Sequence, residues 1–282
     1  MTFFNYTHGV VLLIGFGLLM GCDQQLTAEQ ETQKQQLIND SHQNMVSIPG
    51  GRFQMGDFGD LVELKIPYST DPSTKPLHWV SLHDFKMGKY RVTWGEFNQW
   101  LKLQERKHLE MYTKRKNSEF IVSDDLGDGF PARVQWSDAK AYCKWLGESS
   151  GKKTDLPTEA QWEYAARSGG QFLIYGNSDN QMHYPDDPKL NFVSSGKPVG
   201  NFEPNPIGLY DMMGNGVDWV NDWYAANYYQ YSPEDNPQGP ESGGKKVVRG
   251  YLGSFDATLT ITRGKSNPNI DVGYNFRCVE NP

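Results

Sequence analysis

The chain is poor in cysteine, in basic charge and in long apolar runs, and each shortage closes off a class of function. Its 282 residues include only 3 cysteines, Cys22, Cys143 and Cys278. None stands in a CxxC arrangement, which argues against a redox-active or metal-binding pair of that kind. Lys and Arg number 27 against 34 Asp and Glu, for a net charge of −7. No broad basic face remains to neutralise phosphates, so nucleic acid is excluded as an expected partner. Six histidines are scattered along the chain, and only His78 and His83 are near one another. Their odd spacing places them on opposite faces of one strand, as ordinary structural histidines. Neither a GxSxG nucleophile turn nor a P-loop occurs.

What is present is globular and rich in turns: 37% hydrophobic and 13% aromatic residues, with 29 glycines and 16 prolines. Val10 to Met20 is almost wholly apolar, too short to span a bilayer comfortably and placed like a signal-peptide core. Gly15 and Gly17 therefore belong to a leader and not to a dinucleotide-binding loop. The run ends Leu19-Met20-Gly21-Cys22, which resembles the lipobox of bacterial lipoproteins. The resemblance implies cleavage before Cys22, acylation of that cysteine, and a lipid anchor facing the periplasm. No Lys or Arg precedes the apolar run and Met20 is an unusual residue there, so an ordinary secretory leader or an uncleaved anchor is the alternative. Asp23, followed by Gln24, resembles an inner-membrane retention signal.

Three parts are expected: a signal peptide over 1–21, a polar tether over 22–43, and a single domain over 44–282. The tether is glutamine-rich with almost nothing to bury, which predicts flexibility. MVSIPGGRFQMG predicts a hairpin about its Pro-Gly-Gly. HWVSLHDFKMGKYRV predicts one further strand. Thr93 and Glu96 form a capping box ahead of Phe97, Trp100 and Leu101; Thr158 and Gln161 form another ahead of Trp162, Ala165 and Ala166, with Gly169 to end the helix. Ser137 is the expected cap of a helix carrying Ala141, Tyr142, Trp145 and Leu146. Lys102 to Lys116 holds six basic residues against two Glu, read as a solvated face, with weak contact to anionic headgroups as the other reading.

Six segments, MVSIPGGRFQMG, YRVTWGEFNQWL, VQWSDAKAYCKWLG, LPTEAQWEYAAR, PNPIGLYDMMGN and YNFRCV, occur in the order seen in the sulfatase-modifying-factor family. That family includes formylglycine-generating enzymes and relatives of other function. The resemblance covers residues 45 to 282. It implies an α+β fold: one compact domain, similar to C-type lectins, with few short helices and strands and many loops. It also implies a structural disulfide between Cys143 and Cys278, which agrees with the pairing expected of exported cysteines. On the chain-entropy view such a bond stabilises by about 4–5 kcal/mol.

In the oxidases of this family, two cysteines five apart, following an Arg-Gly-Gly-Ser segment, bind copper; soft thiolates suit Cu(I). The corresponding stretch here is VVRGYLGSFDATLTITRGKSNP. It keeps Arg249, Gly250, Gly253, Ser254, Arg263 and Pro268 but contains no cysteine. No copper is therefore expected, and no formylglycine oxidase activity. The segment GLYDMMGNGVDW resembles a family loop that wraps a structural calcium. The resemblance implies ligands from Asp211, Gly214, Gly216 and Asp218, hard oxygen donors on a glycine-rich turn. Asp218 replaces the usual glutamate and Val217 the usual tryptophan, so a simple tight turn is the alternative. SDDLGDGF, with Asp124, Asp125 and Asp128, reads as an acidic surface loop. Ser254, Phe255, Asp256 and Arg263 are the residues expected to line a groove at the former active site. The function expected is a binding or accessory module holding an envelope protein, peptide or glycan. The alternative is an oxidoreductase of altered chemistry acting on a secreted peptide or metabolite.

Overall fold

The computed structural model describes residues 1–2, 26–63, 65–104, 127–181, 197–250, 259–269 and 273–282. Cys22 and the leader from residue 3 onward, most of the basic segment, Asp124, Asp125, Ser254, Phe255 and Asp256 lie outside the described residues.

Residues 28–43 do not hang as a free tether. Thr27 caps helix α1 (Ala28–Gln43): its hydroxyl accepts from Gln30 N at 3.2 Å while Gln30 Oε1 accepts from Thr27 N at 2.8 Å. The helix is polar on every side but one, where Leu37 and Ile38 are buried. Two adjacent apolar residues are enough to seat it on α2 (Trp94–Leu103), and Gln99 Nε2 fastens it by donating to Gln33 O at 2.9 Å. Low average hydrophobicity hid this short docking patch.

The expected hairpin is also different. β1 (Met45–Ile48) and β2 (Gly51–Met55) do not pair with each other. β1 pairs antiparallel with β4 (Phe85–Gly88), and β2 pairs with β3 (His78–Leu82). The same offset runs through both ladders, pairing Ile48 with Phe85 and Gly51 with Leu82. Pro49-Gly50 is thus a kink in one long ribbon. Proline cannot donate to the ladder, Asp84 Oδ1 accepts from Gly50 N at 2.8 Å, and a Cβ on Gly50 would stand 2.2 Å from Leu82 O. The kink splits the ribbon between two sheets, which is why HWVSLHDFKMG makes two strands instead of one.

One sheet has the order β1-β4-β9-β5, with β5 (Lys153–Asp155) and β9 (Val279–Asn281). A second holds β2 and β3. A third has the order β6-β7-β8, with β6 (Val217–Trp223), β7 (Lys246–Gly250) and β8 (Gly264–Ser266), all antiparallel. The α+β architecture with small sheets is as expected.

The boxes at Thr93/Glu96 and Thr158/Gln161 are both formed, opening α2 and α4 (Glu159–Ala166). α3 (Trp136–Ser150) has Gln135 and not Ser137 at its N-cap position, two residues earlier than expected and with no side-chain capping bond, and ends on Gly151 in the left-handed region at φ 68°. α1, α2 and α3 enclose an aromatic core of Phe97, Trp100, Tyr142 and Phe276. The Cys143–Cys278 disulfide crosses its floor and joins α3 to the C-terminal strand. A second core, under α4, fills the space between the kinked ribbon and β6-β7. Among the described residues, no helix is long and apolar enough to cross a membrane.

Candidate functional site

Between Arg249 at the end of β7 and Arg263 just before β8 runs the stretch where the oxidases carry their thiol pair. The two arginines that bound it are described, and both are turned inward. α4 explains why. Its sequence places Glu159, Glu163 and Arg167 at successive i,i+4 steps on one face, and all three are buried. Arg249 bridges the two carboxylates, Nη1 to Glu159 Oε1 at 2.8 Å and Nη2 to Glu163 Oε2 at 2.9 Å, and also donates to Thr260 O. Arg263 grips Glu159 through Nε and Nη2 at 2.7 and 2.9 Å and donates to Ser73 O at 2.7 Å. Arg167 Nη1 and Gly56 N both reach Glu163 Oε1 at 2.9 Å.

Burial alone would raise the Glu159 carboxyl, but Arg263 and Arg249 together hold it below its ordinary value. Burial works against the Arg249 and Arg263 guanidiniums, yet Glu163 and Glu159 respectively raise both. Carboxylates bound in this way are structural; their lone pairs are spent on arginine. Asp222 differs. Burial, and then the Glu159 charge, push its carboxyl from 3.8 to about 7, although it accepts from Glu159 N at 2.8 Å. Nearby, Lys246 lies between the Trp136 and Trp223 rings, its Nζ 3.9 and 3.6 Å from their centroids, and burial with Lys140 lowers it to about 8.

Arg263, expected on a groove wall, instead sits in this network with its side chain fully covered. Its charge demands a buried carboxylate partner, which sequence spacing alone does not reveal. Ser254, Phe255 and Asp256 lie outside the described residues. His78 and His83 are not brought together for any ligand: the half-buried His78 ring packs on Tyr229 with centroids 4.5 Å apart, burial lowering its pKa, whereas His83 is exposed. A polar groove of about 270 Å³ opens beside α4. It is lined by Asp84, Asp155, Thr158, Asn221, Gln238 and Asn281 among others. Lys140 and Lys144 neutralise Asp155 at 2.9 and 3.0 Å.

The turn before β6 carries the expected calcium ligands. Asp211, Asn215 and Gly216 take positive φ values of 59°, 58° and 130°. Gly216 admits no side chain, since a Cβ there would stand 2.0 Å from Asn275 Oδ1. Three of the four residues aim an oxygen at one arginine, and the fourth, Asp211, turns away. Asp218 is buried between two guanidiniums, Arg91 Nε at 2.5 Å from Oδ1 and Arg277 Nε at 3.1 Å from Oδ2, with Trp162 Nε1 donating to Oδ2 at 2.9 Å. The Gly214 and Gly216 carbonyls accept from Arg91 Nη1 and Nη2 at 2.7 and 3.2 Å. The Asp211 carboxylate turns away and accepts from Gly200 N and Phe202 N at 2.8 and 3.3 Å. These residues do not fit calcium: their oxygens are committed to arginine and backbone donors. Among the described residues, no group of three or more His, Cys, Asp or Glu is arranged to hold a metal.

Sequence reading missed Glu159, Glu163, Asp222, Arg91 and Arg277. The usable signal was in α4, where acidic residues interrupt an otherwise apolar face.

The match to the sulfatase-modifying factor enzyme 1-like domain covers residues 29–282. The chain is 31% identical over 271 residues to "Serine/threonine-protein kinase pkn1" of Chlamydia pneumoniae, covering 90% of this chain but only 40% of that protein. It is 29% identical over 294 residues to the formylglycine-generating enzyme of Streptomyces coelicolor, covering 85% of this chain and 90% of the enzyme. The solved structure of PvdO from Pseudomonas aeruginosa superposes with a TM-score of 0.65 at 29% identity, over 84% of this chain and 94% of that one. By sequence and fold together, the chain belongs to the sulfatase-modifying factor enzyme 1-like family.

Proposed function

We propose that this protein is an accessory or binding module of the bacterial cell envelope, built on the sulfatase-modifying-factor scaffold and without formylglycine oxidase activity. One observation carries the reading: the sulfur is spent elsewhere. Cys143 and Cys278 are joined in a disulfide, and Cys22 precedes the family domain at 29–282. No thiolate pair is left for Cu(I) between Arg249 and Pro268. The carboxylates that hold Arg249 and Arg263 support the same reading, since Glu159 and Glu163 are bound by arginines and hold the scaffold. The polar groove beside α4 suits a neutral, hydrogen-bonding ligand such as a glycan or peptide. The proposed setting is periplasm-facing, with a lipid on Cys22.

The test incubates the purified domain with a sulfatase-motif peptide, copper and a reductant. No aldehyde is expected above a no-enzyme control, and formylglycine in the peptide would refute the proposal. For the anchor, Cys22→Ser should abolish fatty-acid labelling and move the protein out of the membrane fraction; unchanged labelling would remove the lipid from the proposal. Stoichiometric copper or iron in the native domain would instead favour an oxidoreductase of altered chemistry.

A further inference from the structure

We infer that the Arg91 guanidinium serves as a built-in cation in the turn before β6, filling a latent divalent-cation site that opens when Arg91 is removed. Three oxygens from five consecutive residues converge on this one group: Gly214 O, Gly216 O and Asp218 Oδ1, at 2.7, 3.2 and 2.5 Å from its three nitrogens. Two carbonyls and a carboxylate on a tight turn are hard ligands of the kind that hold calcium. A planar fork of N–H donors satisfies the same oxygens with one positive charge. Arg91 is delivered from a different part of the chain, two residues before the Thr93 cap of α2, and its side chain is fully covered. It therefore ties α2 to the β6 turn as a bound ion would.

Charge supports the assignment. Asp218 already faces two guanidiniums, with Arg91 Nε 2.5 Å from Oδ1 and Arg277 Nε 3.1 Å from Oδ2. Asp211 adds one negative charge close to Arg277. Two arginines and two aspartates sum to zero, so a divalent ion brought in beside them would have no counter-charge. Removing Arg91 leaves two unsatisfied carbonyls and a half-paired carboxylate, an opening that favours a cation.

The experiment compares thermal melting of the wild-type domain, Arg91→Ala and Asp218→Asn in EDTA, in calcium and in methylguanidinium. Wild type should melt at the same temperature in EDTA and in calcium. Arg91→Ala should melt lower, and saturating calcium or methylguanidinium should raise it by about 5–10 °C. Should Arg91→Ala fail to fold in EDTA, its refolding yield from urea gives the same readout, and a several-fold rise with either cation is expected. Equal melting or yield of Arg91→Ala under all three conditions overturns the inference. So does a calcium-dependent rise in wild type that Asp218→Asn abolishes.

Discussion

Asp222→Asn should make the domain more stable at pH 8 than the wild type while changing little at pH 4. In the folded protein the Asp222 carboxyl is covered, 2% exposed, and lies next to the ionised Glu159, which together raise it from 3.8 to about 7. The unfolded chain restores the ordinary value. Between the two values the folded state keeps a proton that the unfolded state has released. Stability therefore falls as pH rises through that window, by up to about 1.4 kcal/mol for each pH step. Across the interval from 3.8 to about 7 this accumulates to about 4 kcal/mol of wild-type stability lost on going from acid to slightly alkaline solution. Asparagine has the same shape, keeps a carbonyl to accept from Glu159 N, and does not titrate, so the loss should disappear. Urea unfolding of both proteins at half-unit steps from pH 4 to 8 measures it. The variant-minus-wild-type difference should grow with pH and level off just above 7. Two pH curves running parallel would refute the reasoning, because they would place Asp222 ionised and compensated throughout.

Two other perturbations test the frame that holds this network. The double change Cys143→Ser, Cys278→Ser opens a link with a sequence separation of 135 and should cost about 5 kcal/mol at most on the chain-entropy view, read from urea unfolding; a loss below about 1 kcal/mol would show that α3 and β9 hold each other without it. Leu37→Ala should cost about 2–5 kcal/mol if α1 is an integral part of the first core, and unchanged stability would return residues 28–43 to the role of a loose tether.

Much of the fold was legible because local signals there agree with the tertiary outcome. The Thr93/Glu96 and Thr158/Gln161 boxes announce α2 and α4 within a few residues, and both form reciprocally. The motif order from Met45 to Val279 carried the architecture. What failed did so where a long-range partner decides the structure. Pro49-Gly50 looks like a hairpin turn until Asp84 and the distant β3-β4 stretch claim its neighbours on both sides. Leu37 and Ile38 look too few to seat a helix until α2 offers a place for them. The site was less legible for the same reason: a buried charge is defined by its partner. Arg263 reads as a groove-lining residue in sequence and is instead drawn into the interior by Glu159, 104 positions before it.

The two buried ionic clusters point to one way of holding a loop-rich domain together. Each takes a polar corner of the chain, the β6 turn in one case and the ends of the β7–β8 connection in the other, and fixes it with arginines instead of apolar packing. Asp218 draws in Arg91 from before α2 and Arg277 from before β9. Glu159 and Glu163 draw in Arg249, Arg263 and Arg167. Buried ion pairs add little net stability over well-packed apolar residues, but losing one partner costs about 3–5 kcal/mol because the other charge is stranded. Such a design penalises misplacement more than it rewards correct placement. It sets Arg249 and Arg263, at the two ends of the β7–β8 connection, against α4.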